Sequence, residues 1–166
     1  MDRLFSAPAA AIVTAVAWMV VLGAAGVVST DLSPWYYALR KPEWKPSDVW
    51  FGPVWSTIFL LAAIALVLAW SSPDATPALR TRLVLAYVAN GVLNVLWSLL
   101  FFRMKRPDLA LAEVGFLWLS IVAMMWALWP LSRTGALLLL PYLAWVSFAS
   151  VLNRAIVQLN GPFRGA

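Results

Sequence analysis

The fold class this sequence predicts is all-α, an integral membrane bundle of five transmembrane helices, and three observations predict it. Of 166 residues, 63% are hydrophobic and only 11% charged. A soluble domain this small has too high a surface-to-volume ratio to hide so much apolar surface. The apolar residues also come in runs that reach the roughly 20 residues needed to cross the hydrocarbon as a helix. Finally, the runs do not alternate polar with apolar, as the shorter strands of a membrane barrel would, at about 9–11 residues each.

The charged residues mark the boundaries. Residues 4–30 carry no charge between Arg3 and Asp31, and residues 49–73 carry none between Asp48 and Asp74. Residues 83–102 carry none between Arg82 and Arg103, residues 109–132 contain only Glu113, and residues 134–153 carry none between Arg133 and Arg154. The predicted spans are about 5–29, 49–71, 80–102, 108–129 and 134–158. The first run is too long for a signal-peptide core of about 7–15 residues, so it reads as a retained helix. The link Arg103-Met104-Lys105-Arg106-Pro107 is short and forces its neighbours antiparallel, with Pro107 suited to a first helical turn. The whole chain reads as one membrane domain, 1–166, with no soluble domain, internal repeat or low-complexity tail.

Five crossings put the termini on opposite sides. Arg40, Lys41, Lys45, Arg103, Lys105, Arg106, Arg154 and Arg164 fall on one side, against Arg3, Arg80, Arg82 and Arg133 on the other. That excess places loop 31–48 and the C-terminus in the cytoplasm. The net charge of +5 is spread between apolar runs rather than gathered on a soluble module, so it points to lipid headgroups and not to nucleic acid.

The segment 30–48 differs from the other connections. It holds three prolines and four aromatics, Trp35, Tyr36, Tyr37 and Trp44. Aromatic rings need an apolar surface to rest on, and prolines lower the entropy lost on ordering. The segment therefore reads as a structured lid over one end of the bundle.

The absence of Cys and His excludes disulfides, thiolate and imidazole metal sites, and triads built on those residues. The scattered carboxylates predict no metal site, and no cofactor is expected. What remains is tryptophan, 11 residues in all. Trp70, Trp126 and Trp129 lie near helix ends and fit an interfacial belt, and Trp18 and Trp118 fit packing roles. Phe51, Trp55 and Phe59 form a stripe on the second helix; Asn90, Asn94 and Trp97 share a face of the third, with Phe101 below. On the fifth, Pro141, Trp145, Ala149 and Asn153 share a face. Intramembrane Asn residues face other helices or a cavity, and they serve equally to tie helices together. Pro141 removes the donor to the Leu137 carbonyl, so the helix should loosen there. Trp145 one turn on, with Ala149 below it, fits a slot for a flat ligand or ordinary packing against a small residue. Glu113 invites a functional reading, but a position close to Asp108 favours snorkelling toward the headgroups or pairing with Arg106.

The stretch Trp35-Tyr36-Tyr37-Ala38-Leu39-Arg40-Lys41-Pro42-Glu43-Trp44-Lys45-Pro46 resembles the pattern WYxxLxKPxWxP. Phe51-Gly52-Pro53-Val54-Trp55-Ser56-Thr57 resembles a GPVWxT helix start, Leu93–Ser98 with Phe101-Phe102 an LNxxW…FF pattern, and Pro141–Asn153 the pattern PYLxWxxFAxxLN. Together these identify a resemblance, over essentially the whole chain, to the translocator protein or tryptophan-rich sensory protein family (TspO/MBR, the peripheral benzodiazepine receptors). The resemblance implies a five-helix bundle that often dimerises and binds porphyrins such as protoporphyrin IX; relatives also bind sterols and isoquinoline-carboxamide drugs. It implies a ligand site under the lid, built from Trp35, Tyr36, Trp44, Trp55, Asn90, Asn94, Trp97, Trp145 and Ala149. In some bacterial members the tryptophans matching Trp55 and Trp145 are implicated in light-dependent porphyrin breakdown. Two departures stand out. Ser47 replaces the second proline of the family's pair, with the following Trp displaced to Trp50, and Leu152–Leu159 lacks the Tyr of the animal cholesterol motif.

The leading expectation is a membrane receptor, sensor or transporter of porphyrins and similar lipophilic molecules. The alternatives are an enzyme degrading porphyrin with light and oxygen through Trp55 and Trp145, and a structural or partner-regulating membrane module. Indole faces stack on a flat π-system, and Lys41, Lys45 and the Asn side chains are suited to its propionates. Without His or Cys, iron-free porphyrin is preferred to haem. A homodimer is expected through small residues, Gly23, Ala24 and Gly26 or Ala86 and Ala89.

Overall fold

A computed structural model describes residues 7–163. Residues 5 and 6 of the first predicted span, and Arg3 and Arg164 of the charge count, lie outside the described residues. Helix α1 is Ala7–Ser29 and the short α2 is Pro34–Ala38. After a 3₁₀ turn, Asp48–Trp50, comes α3, Phe51–Trp70. Then follow α4, Pro77–Ser98, a wide π turn, Leu99–Arg103, and α5, Pro107–Leu128. The fifth crossing is broken into α6, Arg133–Leu137, and α7, Leu140–Asn160.

Five stretches are long and apolar enough to cross a membrane: Ala9–Ser29, Asp48–Trp70, Pro77–Arg103, Pro107–Leu128 and Arg133–Asn160. Their outer faces remain apolar. Val13, Val20 and Val27, seven residues apart, are all exposed along α1, as are Phe116 and Trp126 on α5. A water-soluble chain does not leave such continuous apolar faces uncovered, and helices with internally satisfied backbones are what lipid permits. The chain is therefore an integral, multi-pass membrane protein.

The helix ends follow local chemistry. Pro77 and Pro107 occupy first-turn positions where no N–H is needed. Thr76 accepts from the Leu79 amide at 3.3 Å, and Ser132 from the Gly135 amide at 3.0 Å, each capping a helix start. Between α4 and α5 the chain reverses at Lys105, whose φ is 54°. The expected loosening before Pro141 is a full break: Leu139 N–H bonds back to Ala136 rather than one residue earlier, and the regular ladder resumes in α7.

α1 packs on α3 and α4, α4 on α5, and α5 on α6 and α7. Alanines make these approaches close. Ala15 on α1, Ala62, Ala65 and Ala69 on α3, and Ala110 on α5 are all buried. Gly91 admits α1, since a Cβ there would stand 3.0 Å from Leu22. Hydrogen bonds tie the crossings together. Trp18 Nε1 donates to the Tyr87 carbonyl (2.9 Å), and Tyr87 Oη to the Ala62 carbonyl (2.8 Å). Trp118 Nε1 donates to Ser147 Oγ at 2.9 Å. Trp126 and Trp129 are exposed near helix ends, while Trp70 rests on the core with the Arg80 guanidinium 5.8 Å from its ring.

The fifth crossing packs on α3 through α6, whereas α7 meets α3 through aromatic side chains, Trp145 on Phe51 and Tyr142 on Trp55. The ring of helices is thus loosest between α3 and α7, and the interior space lies next to that side-chain-bridged opening.

Candidate functional site: a tryptophan-lined cavity under a fastened lid

A cavity of about 440 Å³ lies between α1, α3, α4 and α7, within the range of about 300–1,000 Å³ typical of small-molecule sites. α3 contributes Phe51, Trp55 and Phe59, one residue per turn. α4 contributes Asn94 and Trp97, and α7 contributes Trp145 and Ala149. Gly23 and Gly26 form the α1 wall; a Cβ at either would meet nothing within 4 Å, so their lack of side chains is part of the space.

The rings are held by one another. Trp55 tilts against Phe59 with centroids 5.3 Å apart, and Tyr142 stands edge-on to it at 5.9 Å. Trp145 meets the edge of Phe51 at 5.3 Å and tilts against Phe148 at 5.5 Å. Trp97 stacks on Phe101 at 5.2 Å. Such offset and edge contacts are the arrangements aromatic quadrupoles favour.

The lid closes one end of the cavity. Tyr36 is buried, and its hydroxyl donates to Asp48 Oδ1 at 2.7 Å. Lys45 Nζ donates to the same oxygen at 2.6 Å. Burial first, then the bond to the Asp48 carboxylate and its charge, push the Tyr36 hydroxyl well above the ordinary phenol range, so it stays a donor. Lys41 Nζ donates to the Tyr36 and Leu39 carbonyls and sits 4.3 Å above the Tyr36 ring. Burial, and then the Lys45 charge, lower its pKa from the usual lysine value. At the far end of the lid, Asn160 exchanges two 2.8 Å hydrogen bonds with the Arg40 backbone.

Of the residues expected at the site, Tyr36, Trp55, Asn94, Trp97, Trp145 and Ala149 line this one cavity. Three do not. Trp35 packs instead beside the Tyr36 and Phe101 cluster, edge-on to Phe101 at 6.4 Å. Trp44 is half exposed, with its ring edge-on to Phe148 at 5.8 Å. Asn90 is fully buried and occupied elsewhere: its amide donates to Ser120 Oγ at 2.9 Å, and its oxygen accepts from Tyr142 Oη at 3.1 Å. Tyr142 in turn accepts from Asn94 at 3.1 Å, so one network joins α4, α5 and α7.

Lys41 and Lys45, expected to reach ligand carboxylates, are committed to lid carbonyls and to Asp48. Gly23 and Gly26, expected at a dimer contact, face the cavity. Glu113 neither reaches the headgroups nor pairs with Arg106. Arg106 is held bidentate by Asp108 at 2.8 and 2.6 Å, while both Glu113 oxygens are buried without partners. The sequence reading missed Asp48 and the two glycines as wall residues. A Gly23-x-x-Gly26 pair opposite a Phe51/Trp55 stripe is the pattern that marks such a wall.

The TspO/MBR family model matches residues 9–159. The chain is 39% identical to the tryptophan-rich protein TspO of Chlorobaculum tepidum, over 82% of this chain and 89% of that one. It is 34% identical to the tryptophan-rich sensory protein of Cereibacter sphaeroides, over 83% and 85% of the two chains. To the human translocator protein it is 30% identical, over 79% and 78%. With its match spanning all five crossings and a tryptophan-walled cavity between them, the chain belongs to the TspO/MBR family.

Proposed function

We propose that the cavity binds porphyrins such as protoporphyrin IX, and that the protein is a membrane receptor, sensor or transporter for these and similar lipophilic molecules. The observation that carries this reading is the meeting of Trp55, Trp97 and Trp145, from three different helices, on one cavity of about 440 Å³. Indoles present flat apolar faces suited to a planar π-system. The donor set favours iron-free porphyrin. The chain has no His or Cys, and no Met lines the cavity. The Tyr36 oxygen, the remaining formal ligand, is engaged with Asp48. Titration of the detergent-purified protein with protoporphyrin IX should quench Trp fluorescence saturably, and Trp145→Ala should weaken binding. Tighter binding of haem in a parallel absorbance titration would contradict the preference, and absence of saturable quenching would leave the structural-module reading.

A second reading is favoured by Trp55 and Trp145 both lining the cavity. Light-excited porphyrin held between indoles, with dioxygen as oxidant, would be degraded without any acid–base site. Under illumination, product formation should slow in Trp55→Phe and Trp145→Phe; equal rates in both would remove this reading.

The reading also places the lid and the C-terminal side in the cytoplasm, on the lysine and arginine excess, and pairs two copies of the chain. With Gly23 and Gly26 lining the cavity, the small residues left for that contact are Ala24, exposed on α1, and Ala89, exposed on α4, with the half-buried Ala86 beside it.

A further inference from the structure

A second hollow lies on the lipid-facing side of the opening between α3 and α7. It is a groove of about 450 Å³ between Pro53, Val54, Thr57 and Ile58 on one bank and Pro141, Ala144 and Phe148 on the other. Trp145 lines both this groove and the central cavity. Its indole is therefore the side chain shared by the interior space and the outside groove.

We propose that this groove is a lateral portal, through which an apolar ligand dissolved in the bilayer reaches the cavity, with Trp145 as its door. The inference rests on the reading of the cavity as a ligand site. Four features support it. First, both banks belong to membrane-crossing stretches, Asp48–Trp70 and Arg133–Asn160, so the medium at the mouth is hydrocarbon and what it delivers is lipophilic. Second, the banks are apolar. The one hydroxyl, on Thr57, donates to the Pro53 carbonyl of its own helix at 2.9 Å, so a passing guest strips no water and leaves no donor unpaired. Third, the sequence builds the gap. Ala144 supplies almost no side chain, and α3 packs on α6, the first part of the fifth crossing, rather than closely along α7. What spans the opening is side chains, Phe51 against Trp145 at 5.3 Å and Trp55 against Tyr142 at 5.9 Å. Trp145 is half-buried, and a change of its rotamer opens the wall without breaking a helix hydrogen bond. Fourth, the route past the lid is fastened by Asn160 on Arg40 and by Tyr36 and Lys45 on Asp48. Admission there requires several hydrogen bonds to break together, whereas admission through the groove requires aromatic side chains to turn.

The test uses the absence of cysteine in the chain. Thr57→Cys is reconstituted in lipid nanodiscs and labelled with a bulky maleimide, and protoporphyrin IX association and dissociation are followed by stopped-flow Trp quenching. Labelling should slow both rates about tenfold while Kd stays within about twofold, because a blocked passage alters kinetics and leaves the bound state intact. Ala144→Trp, which fills the groove without any reagent, should do the same. A label at Val20→Cys, exposed on α1, should change neither rate. Unchanged rates at both groove positions would overturn the portal, as would a weakened Kd with faster dissociation, which would make the groove a resting site instead. Unlabelled protein that shows no saturable quenching would overturn the binding reading itself, and the portal with it.

Discussion

The side-chain amide of Asn160 closes on both sides of the Arg40 peptide unit: its oxygen accepts from the Arg40 N–H and its nitrogen donates to the Arg40 carbonyl, each at 2.8 Å. The last residue of α7 thus holds a loop 120 positions away in sequence. The lid is not a tether between two helices but a part fastened to a third.

Asn160→Leu should release that end of the lid. Two hydrogen bonds at a partly exposed site contribute about 1–3 kcal/mol together. Hydrogen exchange at the Arg40 amide should accelerate, while exchange in the middle of α3 and α4 stays unchanged. Equal exchange in variant and wild type would show that the lid is held without this clamp.

Tyr36→Phe removes a hydrogen bond to a charged acceptor, worth about 1.5–3 kcal/mol. It also alters the alkaline limb of stability. Because the folded pKa of the Tyr36 hydroxyl lies above its unfolded value, its contribution is complete below about pH 10 and is lost as pH climbs from there toward the folded value. The difference in thermal midpoint between wild type and Tyr36→Phe should therefore be constant from neutral pH to about pH 9 and shrink above about pH 10.

Two glycines should respond oppositely to enlargement. Gly23→Leu projects into the cavity, where a Cβ meets nothing within 4 Å. It should abolish porphyrin quenching while thermal stability holds or rises, since leaving a helix-interior glycine gains about 0.5–1 kcal/mol. Gly91→Leu meets Leu22 at 3.0 Å and should cost about 1–3 kcal/mol by forcing α1 away from α4. Parallel thermal melts and porphyrin titrations check both.

Two asparagines one turn apart should separate structure from binding. Asn90→Leu strips the Tyr142 hydroxyl of its acceptor and Ser120 of its donor. It should lower stability by about 1–3 kcal/mol and leave ligand affinity within about twofold, because Asn90 does not line the cavity. Asn94→Ala, on the cavity wall, should change affinity as well.

The five crossings were legible because hydrocarbon imposes a length and excludes charge, and both constraints are written in the chain. The helix faces were legible in part. Spacing by four put Phe51, Trp55 and Phe59 on one line, and that line borders the cavity. Spacing could not tell which of Asn90 and Asn94 points into space and which into protein, because that depends on how far α4 is rotated against α5. The lid was legible as an ordered segment, from its prolines and rings. Its internal pairing was not, because Asp48 was read as a boundary charge and Lys45 as an orienting charge suited to a ligand's propionates, not as each other's partner. Glu113 shows the same limit. Arg106 was a plausible neighbour on sequence distance, but Asp108 lies nearer to it, which leaves the acid inside the bundle unpartnered.

Among the described residues, Asp48 is the one charged side chain on the cavity wall, and it stands at the lid end, already matched to Lys45. Deeper down the wall is electrically quiet. On the proposed reading, a guest with one oily edge and one acidic edge would lie with its hydrocarbon inward and its carboxylates out toward the headgroups. Such polarity would present the same edge of every captured molecule to the aqueous phase, where a soluble acceptor could recognise or collect it.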